Sequence, residues 1–161
     1  MPIAIATASP TPPAGRPERP YRVTMPRRPD AVRLARSLVP FYLADHPGLV
    51  DPATLIVSEL VTNAVTHTTS AVIGMEVHTA PQVVTVRVID GSPRLPARHG
   101  ADPDAWNEYG RGLRIVALCA DTWGAYPVMR VHRHPYRLAS GWGRPAFSHK
   151  CVWAALREAP R

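Results

Sequence analysis

Lysine is almost absent from this 161-residue chain, since Lys150 is the single lysine among 19 lysine and arginine residues. A phosphate-binding loop of the GxxxxGK[ST] type needs a lysine behind a glycine-rich turn, and the segment SHKC around Lys150 is not such a turn. The eukaryotic protein-kinase pattern is also excluded, because neither a VAIK lysine nor an HRD loop is present. Any nucleotide bound here must therefore be held by a metal ion, backbone amides and arginines.

Cysteines and long apolar runs are scarce too. Cys119 and Cys151 are too few for a disulfide framework or a structural zinc site. No apolar run approaches the length of about 18 residues that a membrane-spanning helix needs. Residues 1–20 lack the cationic start and the apolar stretch of a signal peptide. We therefore expect a cytoplasmic protein without a membrane partner.

The net charge of +7 raises the hypothesis of a nucleic-acid partner. The basic residues are scattered, however, and no basic run or binding motif accompanies them. We therefore expect no direct nucleic-acid partner. A basic protein that binds nucleic acid is kept as an alternative hypothesis.

The chain is expected to form one domain over residues 21–158, behind a disordered Pro- and Ala-rich tail over residues 1–20. A segment at about 128–149 has no clear pattern and is interpreted as variable or inserted. Asp30 and Asp51 are predicted to cap two helices. Apolar periodicity predicts strands over 21–25, 71–78, 83–89, 123–126 and 151–156, and helices over 31–44, 52–66 and 113–119.

Three polar residues share one face of the second predicted helix. Glu59, Asn63 and His67 lie at i, i+4 and i+8, opposite an apolar face. A carboxylate one turn from a carboxamide suits magnesium chemistry, because the amide offers a carbonyl oxygen and the carboxylate accepts a proton or orders a ligand. The alternative interpretation is the solvated side of an amphipathic helix.

Two further segments carry small residues where a ligand would come close. Asp90 ends a predicted strand ahead of Gly91 and Ser92, so its carboxylate can accept a hydrogen bond from a base amino group while the backbone turns away. The segment Gly110–Gly112 opens a predicted helix, where glycines and backbone amides suit an anion. Alone, each segment is also typical of an ordinary turn or hinge.

Together, in this order and spacing, the segments resemble the GHKL-type ATP-binding domain shared by gyrase, a heat-shock chaperone, histidine kinases and the MutL repair protein. The resemblance is closest to the short bacterial anti-sigma-factor serine/threonine kinases. The matching segments are ELVTNAVTH (59–67) for the N box, DGSPRLP (90–96) and GRGLRIVALCAD (110–121) for the two glycine boxes, and KCVWAAL (150–156) for the closing strand.

The resemblance implies a two-layer α/β sandwich, with helices on one face of a mixed, mostly antiparallel sheet and ATP beneath a lid over residues 91–110. Glu59 would be the general base on a serine or threonine hydroxyl, Asn63 would coordinate Mg²⁺, and Asp90 would recognise the adenine amino group. The implied nucleotide-binding residues are Asn63, Asp90, Ser92, Gly110, Arg111, Gly112 and Leu113.

The implied partner is a small anti-anti-sigma protein of the STAS type, which such kinases phosphorylate, and a sigma factor that they hold. Similar kinases pair as homodimers, and the sequence leaves the oligomeric state open. Ser92, a small residue, stands at the first glycine position of the family pattern after Asp90. Two further residues depart from that pattern: Arg94 stands at the second glycine position, and Cys151 replaces a threonine, which would remove a hydroxyl near adenine. These departures favour the alternative hypothesis of a non-catalytic ATP-binding or nucleotide-free module that binds a sigma factor or another regulator.

Overall fold

A computed structural model describes residues 20–96, 111–128 and 149–158 of the chain. The predicted N-terminal tail up to residue 19, residues 97–110 of the predicted lid and residues 129–148 of the variable segment lie outside the described residues.

The helices and strands predicted from apolar periodicity are all present, with ends that differ by a few residues. In chain order they are β1 (Tyr21–Pro26), α1 (Asp30–Tyr42), a 3-10 turn (Pro47–Leu49), α2 (Val50–His67), β2 (Val72–Ala80), β3 (Val83–Asp90), α3 (Arg111–Cys119), β4 (Thr122–Val128) and β5 (His149–Arg157).

The five strands form one sheet in the order β1-β2-β3-β5-β4. The predicted hairpin between β2 and β3 is present, with Val77 opposite Val86, and β5 pairs with both β3 and β4. The expected α/β class is confirmed, but all four described strand pairs are antiparallel, so the described sheet is not mixed.

The helices cover one face of this sheet. Side chains alternate between the two faces of a strand, so every second residue of β3 points towards the helices. On β3, Val84, Val86 and Val88 are buried in the main core together with the apolar sides of α1 and α2. The same alternation places Asp90, the last residue of β3, on the helix-covered face, and Asp90 is only 2% exposed. The fold thus carries the strand end into the space between its two layers.

Helix α2 is the central helix of that layer. Residues Pro47–His67 are long and apolar enough, at a mean hydropathy of 1.2, to meet the length and composition of a membrane-crossing helix. The core helix of a soluble protein meets the same criteria, and α2 packs against α1, α3 and the sheet. We therefore interpret it as a core helix; its buried residues are Ala53, Ile56, Val57, Leu60, Val61 and Ala64.

Both predicted aspartate caps are wrong. Helix α1 begins at Asp30 itself, and α2 begins at Val50, directly after the 3-10 turn, so that Asp51 lies within its first turn. Neither helix has a side-chain cap hydrogen bond. An acidic residue in a first turn still interacts favourably with the helix dipole, which accounts for the sequence signal.

Candidate functional site

The start of α3 lies directly against the polar face of α2. A Cβ atom built at Gly112 would be 2.6 Å from Glu59 Oε2 and 3.4 Å from Asn63 Nδ2. A real Cβ does not approach an oxygen as closely as 2.6 Å, so a side chain at position 112 would push Glu59 away. The structure therefore brings Glu59, Asn63 and Gly112 together, and we call these three residues the helix half of the site.

The polar groups of the helix half remain available for other interactions. Glu59 and Asn63 are half-buried, and neither side chain makes a hydrogen bond or ion pair within the described part of the chain. Beside them, the first turn of α3 has backbone N–H groups without partners inside the helix. A carboxylate, a carboxamide and amide donors can respectively accept a proton, ligate a hard cation and bind an anion.

The other residues predicted around this helix start are placed differently. Arg111 is exposed at the first position of α3, and Leu113 is 9% exposed within the main core. His67, on the same helix face as Asn63, is exposed at the end of α2. Gly110 lies outside the described residues.

A second cluster forms at the end of β3. Lys150 Nζ donates to Asp90 Oδ1 at 2.9 Å, and the backbone N–H of Ser92 donates to the same oxygen at 2.8 Å. All three residues are buried, with Lys150 at 7% and Ser92 at 6% exposure. We call Asp90, Ser92 and Lys150 the strand half of the site.

Lys150 was not among the predicted site residues. Its pairing with Asp90 depends on the register of β3 and β5, in which the two residues lie directly opposite each other. The available signal was compositional, because the single lysine of the chain directly precedes the last predicted strand, over residues 151–156.

The turn that leaves β3 is fixed by its own short side chains. Asp90 accepts the N–H of Ser92, and Ser92 Oγ accepts the N–H of Arg94 at 3.3 Å. Short polar side chains that bond the backbone two residues further on are typical of such turns. Arg94 itself is exposed, so the chain passes over the protein surface at this position.

Ser70 connects this turn to the end of α2. The N–H of Gly91 donates to Ser70 Oγ at 3.1 Å, and a Cβ at Gly91 would lie 2.4 Å from the Cβ of Ser70. Arg27 donates through Nε to the Ser70 carbonyl at 3.0 Å and through Nη1 to the Val65 carbonyl at 3.5 Å. These contacts tie the strand half to the helix that carries Glu59 and Asn63.

Cys151 and Asp90 lie on opposite faces of the sheet, because Cys151 follows Lys150, the residue opposite Asp90. Cys151 is buried in a separate cluster on that other face, with Trp153, Ala155 and Tyr126. The expectation that its thiol replaces a hydroxyl near the base is therefore wrong, because adjacent strand residues point to opposite faces. Burial raises the pKa of Tyr126 to about 12 and also raises the pKa of the Cys151 thiol.

Two other features lie apart from both halves. A cavity of about 440 Å³ is lined by residues of β1 and α1 and by none of the predicted site residues. Within residues 20–96, 111–128 and 149–158, no three His, Cys, Asp or Glu side chains are grouped as for a metal ion. The lining residues of the cavity are Pro26, Asp30, Ala31, Arg33, Leu34 and Ser37.

Comparison with solved structures shows a likeness of fold. The chain is similar to the crystal structure of the RsbU and RsbW domains of Rv1364c from Mycobacterium tuberculosis, with a TM-score of 0.53 and 15% sequence identity. The match covers 86% of this chain and 32% of that one, so the chain spans about a third of the matched protein. Neither a protein-family model nor a curated protein sequence matches the chain.

Proposed function

We propose that this chain is a cytoplasmic, Mg-ATP-dependent serine/threonine protein kinase of the anti-sigma type, which phosphorylates a small anti-anti-sigma protein. The observation that carries this proposal is the approach of Gly112 to Glu59 and Asn63. It joins two segments, 59–67 and 110–121, that resemble the N box and the second glycine box of that family. The likeness of fold to a chain that contains an RsbW domain supports the same assignment.

The groups present in the helix half fit magnesium and ATP phosphates. Magnesium would supply charge neutralisation to the phosphates during phosphoryl transfer. Asn63 would hold it through the carboxamide oxygen, and the first backbone amides of α3 would face the phosphates next to Gly112. Because Gly112 has no side chain, backbone and phosphate can come close there.

Glu59 would accept the proton of the partner hydroxyl. Its carboxylate is half-buried and makes no hydrogen bond or ion pair within the described part of the chain, so it can take a proton without breaking an existing contact. A base must lie within hydrogen-bond reach of the hydroxyl that it deprotonates. Asp90, buried in the strand half, would accept a hydrogen bond from the amino group of the adenine ring.

One observation favours a second candidate function, a nucleotide-binding module without catalysis. Arg94 occupies a position where the family pattern has glycine, and its backbone N–H is already engaged by Ser92 Oγ. A lid that leaves the strand in a different way would alter closure over the phosphates. The chain would then regulate a sigma factor or another regulator by binding alone.

Incubation with labelled ATP, magnesium and candidate anti-anti-sigma proteins separates the two functions. A kinase gives labelled partner, and Glu59→Gln strongly lowers the rate of labelling while ATP binding persists. A binding module gives a complex without labelled product. If Glu59→Gln transfers label at the wild-type rate, Glu59 is not the base.

A further inference from the structure

Lys150 is unusual both in composition and in position. It is the single lysine of a chain whose other strongly basic side chains are arginines, and it is 7% exposed. Lysine is almost never fully buried without a partner. The partner is Asp90, opposite Lys150 in the register of β3 and β5, on the helix-covered face.

Only one oxygen of the Asp90 carboxylate, Oδ1, accepts these hydrogen bonds. Lys150 Nζ and the Ser92 N–H both donate to Asp90 Oδ1, at 2.9 and 2.8 Å. Two donors on one oxygen fix the rotation of the carboxylate about its side-chain bond. The second oxygen, Oδ2, then has a fixed direction as an acceptor. An ionised carboxylate has acceptor sites only, so a group that binds it must donate.

We propose that Lys150 is a positioning residue for the purine base: by holding Asp90 Oδ1, it orients Oδ2 as an acceptor that selects a 6-aminopurine over a 6-oxopurine. This inference rests on the proposed nucleotide site and adds base selection to it. The amino group of adenine donates to a carboxylate, whereas the carbonyl oxygen of a 6-oxopurine repels one. Lysine suits this role because its single compact ammonium donates to one oxygen.

The test compares the dissociation constants of ATP and inosine triphosphate, which share the triphosphate and differ in the group at purine position 6 and in N1, an acceptor in adenine and an N–H donor in the 6-oxopurine. Both are measured in magnesium by titration calorimetry. A hydrogen bond to a charged group makes the wild-type preference for ATP about tenfold or more. Lys150→Met should bring the ratio close to one, and Lys150→Arg should also lower it, because a guanidinium fork can donate to both carboxylate oxygens and occupy Oδ2.

Arg87→Met is the matched control. Arg87 is a half-buried cation on the other face of the same sheet, 4.0 Å from Glu76, so its loss should leave the ratio unchanged. A purely structural role for Lys150 would alter both affinities equally and leave the ratio at the wild-type value. An unchanged ratio would overturn the inference about Lys150. The proposed function would still stand, because ATP binding would remain. Failure of the wild-type chain to bind either nucleotide overturns both.

A measurement on the wild-type chain does not depend on the folding of a variant. Lys150 is the only lysine, so an amine-directed acetylating reagent gives a single side-chain adduct that mass spectrometry follows. Saturating ATP should slow this reaction more than saturating inosine triphosphate does, because only the amino group completes the contacts of Asp90. Equal rates with the two nucleotides contradict the inference.

Discussion

The two halves of the candidate site are built in opposite ways. In the helix half, Glu59 and Asn63 are half-buried and meet Gly112 at close range without any hydrogen bond or ion pair in the described part of the chain. In the strand half, Asp90 and Lys150 are buried and paired with each other. One half leaves its polar groups for a ligand, and the other uses them within the fold.

This difference separates the expected consequences of mutation. A polar group that has no partner in the folded chain contributes little to stability, so its replacement should affect chemistry alone. A buried charge whose partner is removed is left unpaired in a poorly solvating environment, which is strongly destabilising. Catalysis and stability should therefore respond to different residues of the candidate site.

The largest expected effect is on catalysis in the helix half. Glu59→Gln should lower phosphoryl transfer about 10²–10⁴-fold, because a positioned general base contributes that much. Urea unfolding should show no accompanying loss of stability. A variant that loses stability together with activity would show that Glu59 belongs to the fold instead.

The next effect is on stability in the strand half. Lys150→Ala should lower the free energy of unfolding by about 3–5 kcal/mol, since it leaves the Asp90 carboxylate buried and unpaired. Arg22→Ala is the matched control, because the Arg22 side chain is 68% exposed in its pair with Glu76 and exposed pairs contribute about 0–1 kcal/mol. If both variants lose the same free energy of unfolding, the buried pair of Lys150 and Asp90 is no more important for stability than an exposed pair.

A smaller loss is expected at the turn between the two halves. Gly91→Ala should cost about 1–3 kcal/mol, because its Cβ would lie 2.4 Å from that of Ser70 and the backbone must shift. In the Ser70→Gly background the additional cost of Gly91→Ala should shrink. Gly48→Ala, which meets nothing within 4 Å, serves as the control for glycine replacement. The same cost in both backgrounds would exclude the clash with Ser70.

The smallest effect belongs to the other face of the sheet and is visible at high pH. Because burial raises the pKa of Tyr126 from 10.0 to about 12, the unfolded chain loses this proton first. Stability present below pH 10 should therefore fall as the pH rises towards 12. Tyr126→Phe should flatten this decline in urea unfolding, whereas Tyr42→Phe should not. An unchanged slope in Tyr126→Phe would exclude this tyrosine as its source.

The helix half was largely predictable from the sequence. The i, i+4 spacing of Glu59 and Asn63 fixes them on one helix face, and the small residues around Arg111 indicate a close backbone approach. The start of α2 at Val50 was not predictable, because the preceding 3-10 turn continues into the helix and makes the Asp51-Pro52 signal internal.

The strand half depends on information that local patterns lack. The pairing of Asp90 with Lys150 joins residues 60 positions apart, through a register that no short motif specifies. The sequence analysis placed Cys151 on the wrong face of the sheet for a related reason. Strand β5 is apolar on both faces, so its sequence has no alternation from which to decide which residues face the helices.

Magnesium-dependent binding of ATP tests the central claim most directly. In a thermal-shift titration, the wild-type chain should be stabilised by about 2.7 kcal/mol at a hundredfold excess of ATP over Kd, in magnesium. Chelating the magnesium should reduce the shift. Asn63→Ala should lose the magnesium-dependent part, whereas Thr62→Ala, at an exposed neighbouring position of α2, should keep it. No shift with Mg-ATP in the wild-type chain, or an unchanged magnesium-dependent shift in Asn63→Ala, would contradict the account.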